Sequence, residues 1–180
     1  QGCCDSLKKH KEDIFNHIRT TVSYKEKSIV LENNEFDMDE FLKSDSQVLV
    51  IDGEAGTGKS ALIKNGLADI DNDTVILTFR CTDMDVSDKR NFLTTYGTLM
   101  VDEVLKVYDE TESRILYIDA VEKYFILENQ QTFEDLLQVF ISAGWKIILT
   151  IRTAYVESFR NLLLNAISVQ SYHVDPISNE

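Results

Sequence analysis

The sequence predicts an α/β protein: a three-layer α/β/α sandwich on a mostly parallel five-stranded sheet, preceded by a short helical N-terminal lead-in. Three observations predict it. From Gln47 onward, short apolar runs alternate with segments of helical periodicity, the pattern of parallel strands covered on both faces. A glycine-rich stretch, Gly53 to Ser60, falls between the first apolar run and the helical segment after it. A later apolar run, Ile115 to Ile118, ends on a carboxylate, Asp119.

Leu7, Ile14, Phe15 and Ile18 recur at helical spacing among charged residues, so an amphipathic helix is expected to end near Thr20 and to pack on the domain or on a partner. Ile29 to Leu31 reads as a short extended stretch. Asp37, with Glu40 three places on, makes a capping-box pattern for a helix carrying Met38, Phe41 and Leu42. Residues 1–46 are therefore expected to be a lead-in, and 47–180 the main domain. Within it, Val48–Ile51 is the first strand, and the helix after the glycines runs through Ala61, Leu62, Ile63 and Leu67. Val75–Phe79 is the second strand, and Phe92 to Tyr108 reads as one long helix. Ile115–Ile118 is the third strand. Phe133 to Ala143 is helical, with Leu136, Leu137, Phe140 and Ile141 on its inner face and Gly144 as the stop signal. Lys146–Ile151 is the fourth strand, Tyr155–Leu164 a further helix, and Tyr172–Val174, before Pro176, the fifth strand.

At 180 residues and 43% hydrophobic content, the chain has enough apolar surface for one domain and a short appendage, but not comfortably for two. A formal net charge of -13 argues against a broad surface tracking nucleic-acid phosphates, because such surfaces need clustered Lys and Arg. No apolar run approaches the roughly 20 residues that span a bilayer, and no cleavable signal is recognisable, so a soluble, cytoplasmic protein is expected. Three cysteines, Cys3, Cys4 and Cys81, do not make a disulfide framework and fit a reducing compartment. Adjacent Cys3 and Cys4 lack metal-ligand spacing. His10 and His17 read as solvated helix histidines, and His173 as a strand residue without ligand partners. The start at Gln1 and the end at Glu180, just after a strand-like run, lead us to expect a piece of a larger protein.

Gly53 to Ser60 satisfies G-x-x-x-x-G-K-[ST] between a buried strand and a helix, which is the context a phosphate-binding P-loop requires. Gly53, Glu54, Ala55, Gly56, Thr57, Gly58, Lys59, Ser60 and Ala61 are the expected phosphate-binding residues. Glycines let consecutive N–H groups turn toward phosphate oxygens, and the helix start adds its positive dipole end. Lys59 is expected on the β- and γ-phosphates and Ser60 on magnesium. Asp119 belongs at the carboxyl edge of the sheet, where ligands bind in open α/β folds, and is the expected second magnesium residue. An ordinary strand end is the bland alternative for Asp119.

Taken together, Val48–Ser60, the strand leading into Asp119-Ala120-Val121-Glu122, and Ile147 to Arg152 resemble the STAND class of signal-transducing ATPases, which includes the NACHT and NB-ARC families. The resemblance runs from about Val48 to about Ser178 and includes Thr150 with Arg152 and the turn Asp175-Pro176-Ile177-Ser178. It implies an ATP/ADP site with Mg2+ and an ATP-dependent switch whose nucleotide state sets self-association and the arrangement of flanking domains. Glu122 matches the first acid of a pair that members often carry, and so becomes the candidate for polarising water. Here Lys123 follows it, which points to slow hydrolysis. Arg152, at a strand's C-terminal end, is the candidate γ-phosphate contact, with Arg80 a lesser one. A solvated loop carboxylate for Glu122, and a surface pair with Glu157 for Arg152, are the alternatives. The helical and winged-helix domains that follow the core in NACHT and NB-ARC proteins are absent from this sequence.

Two other functions compete. A metabolic kinase expects a lid carrying several arginines, whereas only Arg152 and Arg160 follow Asp119. A scaffold that keeps ADP as structural cement gains about 2.7 kcal/mol at a hundredfold excess of nucleotide over its dissociation constant. GTP is disfavoured by the lack of an Asn-Lys-x-Asp segment, so adenine is chosen by elimination and by the resemblance. Its contacts are expected from Val30 to Phe36 and from the last strand.

Overall fold

The computed structural model describes residues 2–18, 20–24, 27–30, 36–68, 70–71, 73–97 and 100–176. In chain order it contains α1 (Gly2–His17), an antiparallel hairpin of β1 (Thr21–Tyr24) and β2 (Lys27–Val30), and α2 (Met38–Lys43). The main sheet and its helices follow: β3 (Val48–Gly53), α3 (Lys59–Ala68), β4 (Val75–Arg80), α4 (Val101–Val107), β5 (Arg114–Asp119), α5 (Gln130–Ser142), β6 (Lys146–Arg152), α6 (Val156–Leu163) and β7 (Val169–His173).

The strands pair in the order β4-β5-β6-β3-β7, and every pairing is parallel. Alternation along each strand divides the apolar residues between two layers. Val48, Val50, Leu116, Ile118, Leu149 and Ile151 face α4, α5 and α6, which contribute Val104, Phe133, Leu136, Phe140 and Phe159. On the opposite face, Leu49, Ile51, Ile115, Tyr117 and Ile148 meet Met38 and Phe41 of α2 and Leu62, Ile63 and Leu67 of α3. Burying each such side chain is worth about 1.5–3 kcal/mol, so two filled layers hold the sheet between its helices.

The free edge of β4 is covered by α1, which sends Leu7 into one layer and Phe15 toward the other. A covered edge cannot template pairing with another chain. Lys64 of α3 donates from Nζ to the carbonyls of Phe15 (2.7 Å) and Ile18 (3.1 Å), capping the end of α1 with a cation. Asp37 caps α2, its Oδ1 accepting from the N–H groups of Asp39 (2.9 Å) and Glu40 (3.2 Å), which is the Asp37 half of the expected capping box.

Two expectations are corrected. The long helix expected over Phe92 to Tyr108 is a 3₁₀ segment, Lys89–Thr95, followed by the separate α4. Thr94, Thr95 and Gly97 weaken helix continuation, and a new start is made at Met100, whose N–H donates to Glu103 Oε2 at 2.8 Å. His10 is not solvated. Its ring lies 4.5 Å from that of Tyr96 and 5.6 Å from that of Phe79, and its Nε2 stands 3.3 Å from Asp83 Oδ2. Only His17 keeps the surface position expected of both, its Nδ1 2.6 Å from the Asp13 carbonyl. Leu31 and the segment Ile177-Ser178 lie outside the described residues, as do the side chains of Cys3 and Cys4.

Candidate functional site

In this order of strands β3, the earliest in the chain, lies between the two latest, β6 and β7. Connections leave such a switch point in opposite directions and open a crevice at the carboxyl ends of the strands. The glycine-rich loop leaves β3 into that crevice.

Gly56 and Gly58 adopt φ values of 82° and 93°, in the left-handed region that a Cβ disfavours. Gly53 is glycine for a different reason: a Cβ there would stand 2.6 Å from the Val174 carbonyl oxygen and 2.8 Å from Thr57 Oγ1. The loop is tied by Thr57, whose Oγ1 donates to the Glu54 carbonyl at 3.1 Å. Lys59 opens α3 and folds back, its ammonium donating to the carbonyls of Gly53 (2.8 Å) and Glu54 (2.7 Å). Partial burial lowers its pKa, with the nearby Arg152 acting in the same sense and Glu122, Asp119 and Asp52 opposing. The first N–H groups of a helix have no intrahelical partner, so the start of α3 offers donors to an anion.

Ser60 Oγ donates to Asp119 Oδ1 at 2.8 Å, which brings the loop and the end of β5 together across 59 positions of sequence. The same carboxylate oxygen accepts from Thr150 Oγ1 (2.6 Å) and from the Tyr117 hydroxyl (2.9 Å). Thr150 Oγ1 also accepts from the Ala120 N–H at 3.0 Å. Ala120 turns the chain with a φ of 58° and delivers Val121–Ile126 as a 3₁₀ segment. Glu122 on that segment is 11% exposed and meets Arg152 Nε through Oε1 at 3.1 Å. Its Oε2 is buried with no hydrogen-bond partner among the described residues. Arg152 is half exposed and stands opposite Gly53 in the β3–β6 register.

Every residue singled out in the sequence, from the loop to Lys59, Ser60, Asp119, Glu122 and Arg152, thus lies along one sheet edge. Arg152 pairs with Glu122 and not with the surface acid Glu157. Arg80 ends β4 on the same edge, exposed, with its backbone N–H donating to Asp83 Oδ2 at 2.8 Å. The donor set suits phosphate and a hard divalent cation: turned glycines, an ammonium, a helix start, and a hydroxyl touching a carboxylate.

No family model and no curated protein matches this chain. Solved structures do. The ADP complex of S. cerevisiae Hsp104 is 15% identical over 75% of this chain and 20% of its own, with a TM-score of 0.53. The fold is that of a P-loop ATPase. A structure of katanin concerned with self-assembly is 14% identical over 76% of this chain and 44% of its own, with a TM-score of 0.49. The ADP complex of the FIGL-1 AAA domain is 11% identical over 76% and 46%, with a TM-score of 0.48. The chain spans less than half the length of each of these three.

Sequence reasoning missed one cluster beside the P-loop. Asp52, the residue before Gly53, accepts from Thr153 Oγ1 at 3.0 Å and lies 2.6 Å from His173 Nδ1. His173 stands opposite Asp52 in the β3–β7 register. That bond raises the pKa of the imidazole, outweighing its slight desolvation. Residues 52 and 173 reveal their proximity only once β7 is known to pair with β3. Tyr117 was also passed over, although its place two residues before Asp119 put both on one face of β5. Of the segment expected to meet adenine, 31–35 lie outside the described residues, while Phe36 packs on Tyr172 of β7 with ring centroids 5.1 Å apart. No helix among the described residues is long and apolar enough to cross a membrane.

Proposed function

We propose that this P-loop domain binds ATP and ADP with Mg2+, hydrolyses ATP slowly, and acts as a STAND-like signalling switch within a larger protein. The observation that supports the reading is the 2.8 Å contact between Ser60 and Asp119, which sets a hydroxyl and a carboxylate suited to a cation side by side at the mouth of the P-loop. In this reading residues 53–61 hold the phosphates, Lys59 exchanges its loop carbonyls for β- and γ-phosphate oxygens, and Ser60 and Asp119 hold magnesium. Bound magnesium would neutralise phosphate charge where these two residues hold it. Glu122 takes the proton of the attacking water, and Arg152 meets the γ-phosphate. The ADP bound by Hsp104, which has the same fold, supports an adenine nucleotide.

The switch assignment is supported by the placement of Thr150 and Arg152 at the end of β6, the strand inserted between the P-loop strand and the Asp119 strand. One polar strand end there touches both the metal carboxylate and Glu122, so loss of the γ-phosphate is felt at β6 and β5 together. Residues 47–180 form the nucleotide-binding unit in this proposal, with 1–46 as its lead-in. Cys81, a buried free thiol, fits a reducing cytoplasmic setting.

Single-turnover hydrolysis with and without magnesium, together with sizing in ATP and in ADP, tests the proposal. Slow magnesium-dependent turnover with nucleotide-dependent association is the expected result. Rapid phosphoryl transfer to an added small acceptor would establish a kinase instead, and tight ADP retention without turnover a scaffold.

A further inference from the structure

Along β5, Ile115, Tyr117 and Asp119 share the face covered by α3, by the two-residue period of a strand. Tyr117 is fully buried, and its ring lies 6.2 Å from that of Phe15 on α1. Phenylalanine would fill this volume equally well. The atom that distinguishes tyrosine is spent on Asp119 Oδ1, 2.9 Å away.

We propose that Tyr117 is a positioning residue for the magnesium site: its hydroxyl fixes the Asp119 carboxylate in the orientation that receives the cation. The inference rests on the nucleotide-and-magnesium reading above. Ser60, Thr150 and Tyr117 all donate to Oδ1, and none of the three engages Oδ2. With magnesium bound, Ser60 would offer a hydroxyl lone pair to the cation, so its own hold on Asp119 would be shared with the metal. Tyr117 and Thr150 then keep Oδ1 in place, which sets where Oδ2 stands. A carboxylate held in this way does not have to be ordered at the moment of binding, and partners one shell out from a metal commonly change its affinity about 10–100-fold.

The test compares the intact chain with Tyr117→Phe, Phe15→Leu and Asp119→Asn. Affinity for a fluorescent ATP analogue is measured in EDTA, and Mn2+ affinity of the nucleotide complex by electron paramagnetic resonance. Tyr117→Phe is expected to keep metal-free nucleotide affinity and to weaken Mn2+ binding about tenfold. Phe15→Leu disturbs the packing around the ring but spares the hydroxyl, and is expected to leave Mn2+ affinity unchanged. Wild-type Mn2+ affinity in Tyr117→Phe, with a loss in Asp119→Asn, would overturn the role of Tyr117 alone. An equal loss in Phe15→Leu would also overturn it, by assigning the effect to packing. Unchanged metal binding in Asp119→Asn would remove the magnesium site itself, and this inference with it.

Discussion

Arg152 Nε lies 3.1 Å from Glu122 Oε1, joining the end of β6 to the turn after β5 at the edge where the P-loop opens. The two residues proposed for hydrolysis therefore engage each other. In the proposed reading a γ-phosphate would compete for the guanidinium and so free the carboxylate to accept a proton from water. Arg152→Ala is expected to lower single-turnover hydrolysis by about 10³ and to abolish the preference for ATP over ADP, with ADP affinity little changed. Equal binding of both nucleotides by the wild type would contradict this role. The same substitution leaves Glu122 buried with neither oxygen paired, at a cost of about 1–2 kcal/mol once the solvent around the half-exposed arginine is allowed for. Arg152→Ala with Glu122→Gln should recover part of that loss in urea denaturation, because the neutral amide needs no cation.

Glu122→Gln alone separates binding from chemistry. It keeps the shape of the side chain and removes the base, so ATP affinity should persist while turnover falls by about 10² or more. Trapped ATP on a sizing column, in the triphosphate-induced association state, is the readout. Loss of ATP binding in this variant would show that Glu122 holds the nucleotide and does not act on water.

Lys59 makes two charge-assisted hydrogen bonds to the loop carbonyls at 2.8 and 2.7 Å, which keep the ammonium at the mouth of the P-loop. Lys59→Ala is expected to weaken ATP binding by roughly 10² or more, since each such bond is worth about 1.5–3 kcal/mol. Calorimetric titration reads this directly. An unchanged dissociation constant would place the phosphates elsewhere.

The layers and the loop were legible because they rest on local patterns. Val48–Ile51, Ile115–Ile118 and Lys146–Ile151 are apolar runs too short for helices, and Gly53 to Ser60 states its backbone demands residue by residue. What escaped was set by pairing between distant segments. Asp52 meets His173 only through the β3–β7 register, and Arg152 chose Glu122 over the nearer Glu157 because the turn at Ala120 carries residue 122 across to the end of β6. The break between residues 95 and 101 runs against the apolar periodicity of this stretch, because Thr94, Thr95 and Gly97 disfavour a continuous helix. The lysines beside His10 in sequence are not its neighbours in space; Phe79, Asp83 and Tyr96 are.

Lys146 opens β6 and reaches back to α2, donating to the carbonyls of Ser44 (2.6 Å), Ser46 (2.7 Å) and Phe41 (3.4 Å) with its ammonium 5.0 Å from the Phe41 ring centroid. Burial lowers its pKa, yet three carbonyls and an aromatic face receive the charge. Lys146→Met keeps the stem and removes the ammonium from the carbonyls of Ser44 and Ser46, while Ser44 still caps α2 through its N–H and hydroxyl on the Phe41 carbonyl. The expected loss is about 2 kcal/mol, seen as a lower urea midpoint at an unchanged slope. A midpoint within error of wild type would mean that water replaces the ammonium at no cost.

His173 gives a pH dependence whose sign follows from its partner. Asp52 raises the imidazole pKa above its ordinary value near 6.5, so folding favours the protonated ring. The stabilisation is fully present below that ordinary value and disappears as pH rises through the higher folded pKa. Because His173 is 48% exposed, the global effect is small, and the local one at β7 is the better readout. Amide exchange of Ser171 to Val174 should be slower at pH 6 than at pH 8 after correction for intrinsic rates, and His173→Gln should erase the difference. Asp52→Asn should return the imidazole titration, followed by nuclear magnetic resonance, to its ordinary range. If His173 titrates at or below 6.5 in the wild type, the 2.6 Å contact does not persist in solution, and β7 is held by its backbone pairing and the packing of Val169 and Tyr172.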